Sequence, residues 1–394
     1  MLHFLAGVLP FLLIISIIVT FHEYGHYSVA RLFNTRIERF SVGFGKILVR
    51  IRDKRGVEWC LSALPLGGYV KFAGDENIAS MMPSPEELEA ARESITAREG
   101  AAAVKDYFHF KPIWQRFLII LAGPVFNFIL AIIVFTGLTL AVGVSYIPTN
   151  VDQTLQGEPA AAAGIRAGDH IVKVDGHSVE SVDDVRDIIS LRSDTRIPVV
   201  VVRDGKTQTL FVTPIRKAFD TGNGNKAVQV GYIGLYFKKE VVKKPVDPVS
   251  ALGIGVQRTW GTLDQTLTYL GRIFVGKESP NQISSVLGMT KVAGDVTVDV
   301  AKTQATLQQK IAALALVYVE MVAVISIGVG FLNLLPVPAL DGGHLAFYLY
   351  QAVAGKPVSA GIQNAAFRVA VVLILGLMLF AGWNDINNYF GGPR

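Results

Sequence analysis

The chain has 394 residues, a net charge of +5, 51% apolar residues and only 18% charged ones, below the roughly 25% charged of a soluble domain. With a mean hydropathy of +0.41, this composition points to an integral membrane protein. The basic residues form no single tract interleaved with aromatics, which argues against a nucleic-acid partner. Cys60 is the only cysteine, which excludes an internal disulfide and a cysteine-built zinc site.

The first expected element is an apolar span over 1–30, uncharged from Phe4 to Phe21 and long enough to cross a bilayer. It lacks a basic leader and a small-x-small cleavage site, so it reads as a retained span and not as a signal peptide. At its end stands Phe21-His22-Glu23-Tyr24-Gly25-His26. Residues four apart share a helix face, so His22 and His26 can aim both imidazoles at one ion. Glu23 can then reach a water held there. Two His and a Glu form the arrangement of a zinc peptidase. The same pattern occurs as a solvated pair on soluble helices, but ionisable groups at the end of a membrane span are costly to place and mark function.

Residues 31–113 are expected to hold a β-hairpin region over Ser41–Lys71 and an acidic insert over Pro83–Gly100, with an interfacial approach to the second span from Tyr107 to Arg116. The hairpin either shields the span ends or offers an edge to an unwound substrate by strand addition. Between Arg31 and Arg55 there are eight Lys or Arg against two acids, Glu38 and Asp53. The first span should therefore end in the cytoplasm. The second span occupies 114–144 and is uncharged from Phe117 to Val144.

A soluble domain follows at 145–240, on the far side of the membrane. Val199–Val202 and Thr209–Val212 flank Asp204-Gly205 as a hairpin, and Gly231–Leu235 is expected to close the sheet. Residues 241–310 read as an amphipathic linker, with Pro245–Leu270 as an interfacial helix. The third span covers 311–344 and carries one charge before its end, Glu320. It closes on Asn333-Leu334-Leu335-Pro336-Val337-Pro338-Ala339-Leu340-Asp341-Gly342-Gly343-His344. A fourth span lies at 365–388. Glu320 sits too far along the helix from Asp341 to share a metal with it. A two-His metal site needs a third protein ligand if one position stays open. Asp341 is the carboxylate at the right depth, although an Asp before Gly-Gly is also an ordinary turn residue. His344 is the runner-up.

H-E-x-x-H ending a first span, with N-L-L-P-x-P-x-L-D-G-G-H in a later one, resembles the site-2 protease family of intramembrane zinc metalloproteases. Pro65-Leu66-Gly67-Gly68-Tyr69-Val70-Lys71 and Ala122-Gly123-Pro124-Val125-Phe126-Asn127 extend the likeness. The resemblance implies Zn2+ held by His22, His26 and Asp341, with Glu23 as the catalytic base. Asn127, Asn333, Gly67 and Gly68 are implied as substrate or transition-state contacts. The alternative for both Asn residues is interhelical hydrogen bonding. Ala163-Gly164-Ile165-Arg166-Ala167-Gly168-Asp169 to Gly176 resembles the PDZ domains of bacterial envelope proteases. Such a domain either binds an extended peptide or filters substrates by size. Ser285-Val286-Leu287-Gly288-Met289 departs from the family's G-P-I-type segment.

The expected fold is thus a polytopic α-helical membrane protein with about four spans, a cytoplasmic-side β-hairpin region and a periplasmic PDZ-like α+β domain. The expected function is cleavage of transmembrane segments of single-pass proteins in the bacterial inner membrane, with anti-sigma-factor-like proteins and signal peptide remnants as substrates. The rivals are a membrane-anchored PDZ scaffold with a non-catalytic metal site, and a transporter using intramembrane acids.

Overall fold

The computed structural model describes residues 2–74, 85–219, 228–274 and 285–390. Residues 75–84 of the expected 31–113 region, including Pro83 and Ser84 of its insert, residues 220–227 of the expected soluble domain and residues 275–284 of the expected linker lie outside these. The chain divides into two compact units, one of Met1–Leu138 with Pro248–Arg394 and one of Thr139–Asp247.

The first unit begins with α1 (Leu2–Leu32), followed by β1 (Ile37–Arg52), β2 (Glu58–Phe72), α2 (Pro85–Glu99) and α3 (Ile113–Val142). Lys111 caps the end of α1. Its buried ammonium donates to the carbonyls of Phe33 and Asn34, at 2.8 and 3.3 Å, and so holds the turn that follows the helix. Burial pushes this ammonium below its usual range. α2 is mostly exposed, as its acidic composition requires, but Ile95 is buried against Ala73 and Tyr107.

The two β-strands form more than a simple hairpin. Val49–Arg52 run antiparallel to Glu58–Leu61, and Arg39–Val42 run antiparallel to 68–71. Arg39–Val42 also lie beside Glu58–Leu61 with both numbers rising together, so the bends at Gly43–Gly45 and 65–67 fold two long strands into four short segments. Their order is 47–52, 58–62, 39–42, 68–72. Phe40, Val57 and Phe72 pack with Tyr27, Ala30 and Ile119 of the helices. The Ser16 hydroxyl donates to the Pro65 carbonyl at 2.9 Å. The sheet therefore runs alongside the span as well as covering its end.

The unit resumes with α6 (Pro248–Phe274), α7 (Val286–Lys302), α8 (Leu307–Leu334), α9 (Asp341–Ala354) and α10 (Ala360–Phe390). Helices α1, α3, α8 and α10 are long and apolar enough to cross a membrane. α8 starts on a Thr306–Gln309 capping box. The third span does not run through to 344 as expected. Pro336 and Pro338 lack the N–H a helix needs, so α8 stops at Leu334, and Asp341 opens a separate helix.

The expected 241–310 linker also differs. A Cβ on Gly255 would lie 2.4 Å from Thr136 Oγ1, so α6 sits directly on α3, while Arg258 pairs with Glu320 at 2.6 Å. Glu320 thus serves helix association. α7 packs on α1, where a Cβ on Gly294 would be 1.5 Å from the His3 carbonyl oxygen. The amides of Ser285 and Gly288 donate to Asp385 of α10, at 2.8 and 2.9 Å, and satisfy the start of α7.

The Thr139–Asp247 unit is built on a four-stranded antiparallel sheet in the order β6-β5-β7-β8. Its strands are β5 (His170–Val174), β6 (His177–Ser178), β7 (Ile197–Arg203) and β8 (Lys206–Val212). The β7–β8 hairpin turns at Asp204 and Gly205, both at positive φ, as the sequence suggested. Three smaller ladders surround it: β3 (Val144–Tyr146) with β12 (Val242–Lys244), β4 (Val151–Thr154) with β11 (Leu235–Phe237), and β9 (Ile215–Phe219) with β10 (Val228–Tyr232).

Gly231–Leu235 therefore does not close the main sheet but divides between two of these ladders. Helices α4 (Pro159–Ala162) and α5 (Val182–Ser190) complete the unit. Ile165, Ile171, Val185, Val199 and Val201 form its core. The buried Asp169 carboxylate accepts from Arg203 at 2.7 Å. Burial alone would raise this carboxyl, but the Arg203 and Arg166 hydrogen bonds outweigh it and hold the group below the usual carboxylate range.

Candidate metal centre

α1 carries His22, Glu23 and His26 on consecutive turns. Both histidines are buried and their rings meet edge to face, with ring centroids 4.8 Å apart. The third partner comes from the start of α9. A Cβ on Gly342 would lie 2.1 Å from the Leu335 carbonyl oxygen, and one on Gly343 would lie 2.4 Å from Pro338 Cα. The two glycines let the first turn of α9 settle on the proline-bent loop, and this settling brings Asp341 to the histidines.

The Nε2 atoms of His22 and His26 are 3.2 Å apart. Asp341 Oδ2 lies 3.0 Å from the first and 3.5 Å from the second. A tetrahedral zinc ion with ligands at about 2.0–2.1 Å holds them about 3.3 Å apart, so this triangle has the dimensions of one face of such a shell. Asp341 Oδ2 is buried and accepts no well-aligned hydrogen bond. A buried carboxylate oxygen without a donor is costly, and a cation at the centre of the triangle removes that cost. Among the described residues, these three are the group of His, Cys, Asp or Glu side chains arranged to hold a metal, with donor atoms within 4.8 Å of one another. His344, the runner-up, is outside it.

α3 forms the wall behind the histidines. Its Ile119 carbonyl lies 2.9 Å from His26 Nδ1, which places the ring proton on Nδ1 and leaves Nε2 free to bind. One turn on, a Cβ on Gly123 would lie 2.4 Å from His26 Nε2 and 2.8 Å from His22 Cε1. A further turn on, Asn127 is fully buried, with Nδ2 3.1 Å from His22 Nδ1. α1 reaches this wall because Gly25 lies against the backbone of Ala122.

Glu23 is half-buried beside the sheet. A Cβ on Gly68 would be 3.4 Å from Glu23 Cγ and 2.6 Å from the Ser41 carbonyl oxygen, so strand segment 68–72 passes directly by this side chain. Gly67 is buried against the Phe44 ring. Asn333, half-buried in the last turn of α8, makes no hydrogen bond to His22, His26 or Asp341 among the described residues. Sequence reasoning missed Gly123 and the Ile119 carbonyl. The signal was the Ala122-Gly123-Pro124 run of small and ring-closed residues in the first half of the span.

The sequence matches the profile of Peptidase family M50 over residues 10–377. It is 44% identical over 391 residues to Metalloprotease MmpA of Caulobacter vibrioides, covering 99% of this chain and 97% of that one. It is also 39% identical to a Mesorhizobium japonicum protein, across 97% of this chain and 99% of that one, and 37% identical to an Agrobacterium fabrum protein, across 98% of each. Both of these are provisionally named zinc metalloproteases. With the family profile covering most of the chain, the protein belongs to peptidase family M50, the site-2 protease family of metalloproteases.

Proposed function

We propose that the protein is a zinc endopeptidase that cuts transmembrane segments of single-pass membrane proteins within the bacterial inner membrane. The observation that carries this reading is the triangle of the buried His22 and His26 with the half-buried Asp341, beside Glu23 of the same helix turn. His22, His26 and Asp341 are the residues that would hold the ion. Zinc bound there supplies a lowered water pKa and a polarised carbonyl.

Glu23 takes the proton of the attacking water on its carboxylate and returns it to the leaving amide nitrogen. A peptide bond inside a helix is covered by its own turn, so the substrate must unwind, losing backbone hydrogen bonds where lipid offers none. Segment 68–72, at the edge of its sheet and beside Glu23, replaces them by strand addition. The backbone of Gly67 and Gly68 thereby contacts substrate.

The eight basic residues from Arg31 to Arg55 support a cytoplasmic end for α1 and a periplasmic location for the Thr139–Asp247 unit. In this reading that unit is PDZ-like and controls which ectodomains approach, by binding an extended peptide or by excluding bulk. Substrates of this description include anti-sigma-factor-like proteins and signal peptide remnants.

The test is cleavage of a reporter transmembrane substrate by the purified protein and by Glu23→Gln, with and without a chelator. Wild type is expected to cleave, the chelator to stop it, and Glu23→Gln to lose about 10²–10⁴-fold in rate. Equal cleavage by both proteins would refute the reading.

A further inference from the structure

Asn127 can be hydrogen-bonded to His22 in two senses, and they have opposite consequences. With Nδ2 facing His22 Nδ1 at 3.1 Å, the amide must donate. His22 Nδ1 is then the acceptor, its ring proton sits on Nε2, and Nε2 has no lone pair to offer. Yet Nε2 is the atom that faces Asp341 and His26. In the same placement Asn127 Oδ1 is buried without a hydrogen-bond partner, although the residue is fully enclosed. Turning the carboxamide over resolves the conflict, since the two amide atoms are interchangeable in shape. Oδ1 then accepts from His22 Nδ1–H, and Nε2 is freed.

We infer that Asn127 is a positioning residue that fixes the tautomer and plane of His22 through its amide oxygen, and that Gly123 is the gap that admits both ligand rings. The inference rests on His22, His26 and Asp341 being the zinc ligands. It assigns Asn127 a role behind the metal, away from the substrate.

The wall is regular. Positions 119, 123 and 127 are successive turns of one face of α3. The first holds His26 Nδ1 by a backbone carbonyl, the second supplies space and the third holds His22 Nδ1 by a side chain. Each imidazole thus has its outer nitrogen engaged by α3 and its inner nitrogen turned to the same point. A metal-ligating His generally needs such an outer partner. Asn127 is itself held, because the Ser326 hydroxyl of α8 donates to its backbone carbonyl at 2.9 Å. Gly330 packs on its Cβ from the same helix.

The experiment measures zinc affinity of the full-length protein in detergent by competition with a chromogenic chelator, alongside thermal melting of each apo form. Asn127→Leu keeps the volume and removes the acceptor, and is expected to bind zinc about 10–100-fold more weakly than wild type. Asn127→Asp keeps an acceptor oxygen and is expected to restore affinity. Gly123→Ala is expected to lose zinc, whereas Gly137→Ala, on the same helix with open space around it, is expected to bind normally.

Wild-type affinity in Asn127→Leu, with a raised KM for the reporter substrate, would overturn the inference and make Asn127 a substrate contact. Equal loss in Asn127→Leu and Asn127→Asp would also overturn it. Failure of wild type itself to bind zinc would sink the ligand assignment instead, so the two failures are distinguishable. If the apo melting temperature of Asn127→Leu falls with its affinity, Asn127→Asp decides the matter: affinity regained supports the inference, and affinity as weak as that of Asn127→Leu overturns it.

Discussion

Single atoms decide this site. His26 presents Nε2 because its Nδ1 is spent on the Ile119 carbonyl, and Asp341 Oδ2 is buried with no well-aligned hydrogen bond, which suits it to a cation. Gly68 is held to the same tolerance, as any side chain there meets the Ser41 carbonyl at 2.6 Å. Gly68→Val should push the strand away from Glu23. A misplacement near 1 Å costs on the order of a hundredfold in rate, so the variant should lose that much in kcat/KM while binding zinc as wild type does. Parallel chelator competition and cleavage assays check this, and lost zinc with slow cleavage would mean that the strand supports the metal instead. His22 and His26 were legible in the sequence because their relation is local, one helical turn. Gly123 was not, because its meaning depends on which residues of another helix face it.

At the scale of elements, α1, α3 and α8 share an apolar cluster of Ile14, Ile18, Leu130 and Val322, while α7 meets its neighbours through glycine and carboxylate. α7 lies on α1 through Gly7 and Gly294, and its first turn is tied to α10 by Asp385. Removing a carboxylate that takes several buried donors leaves them unsatisfied, at about 1–3 kcal/mol each. Asp385→Ala should therefore speed amide exchange at the start of α7 in the folded protein, with little change in α3. Unchanged exchange at Gly288 would show that the cap contributes nothing.

The four long apolar helices could be read from composition and length. The sheet could not be read in full, because Arg39–Val42 borders Glu58–Leu61 as well as segment 68–71, a relation that no local pattern encodes. The break between α8 and α9 was written in Pro336 and Pro338, but it was masked by the apolar run around them. The amphipathic look of α6 suggested an interface, while its small residues Ala251 and Gly255 had already suited it to close helix packing.

At the scale of the whole molecule, the two units depend on different chemistry. The membrane unit relies on close helix packing around the His22–His26–Asp341 triangle. The Thr139–Asp247 unit relies on an aliphatic core and on the buried Asp169 carboxylate, which pairs with the partly exposed Arg203. Because the folded Asp169 carboxyl titrates below its usual range, its contribution is fully present above the unfolded value of about 3.9 and is lost as pH falls through the lower folded value. Amide protection of β5 and β7 in the intact protein should hold from neutrality to about pH 4 and decline below it. Asp169→Asn should weaken that protection at neutral pH, because the amide accepts only a neutral hydrogen bond from Arg203, and flatten the dependence on acid. Protection that ignores both acid and substitution would remove the ion pair from the account.

The central claim is that side chains from two helices distant in sequence hold one ion for Glu23 to work beside. Its most direct test is the zinc content of the purified protein, of Glu23→Gln and of Asp341→Ala, by elemental analysis after dialysis. The account predicts one zinc per chain in the first two and almost none in the third. Zinc retained in full by Asp341→Ala would contradict it.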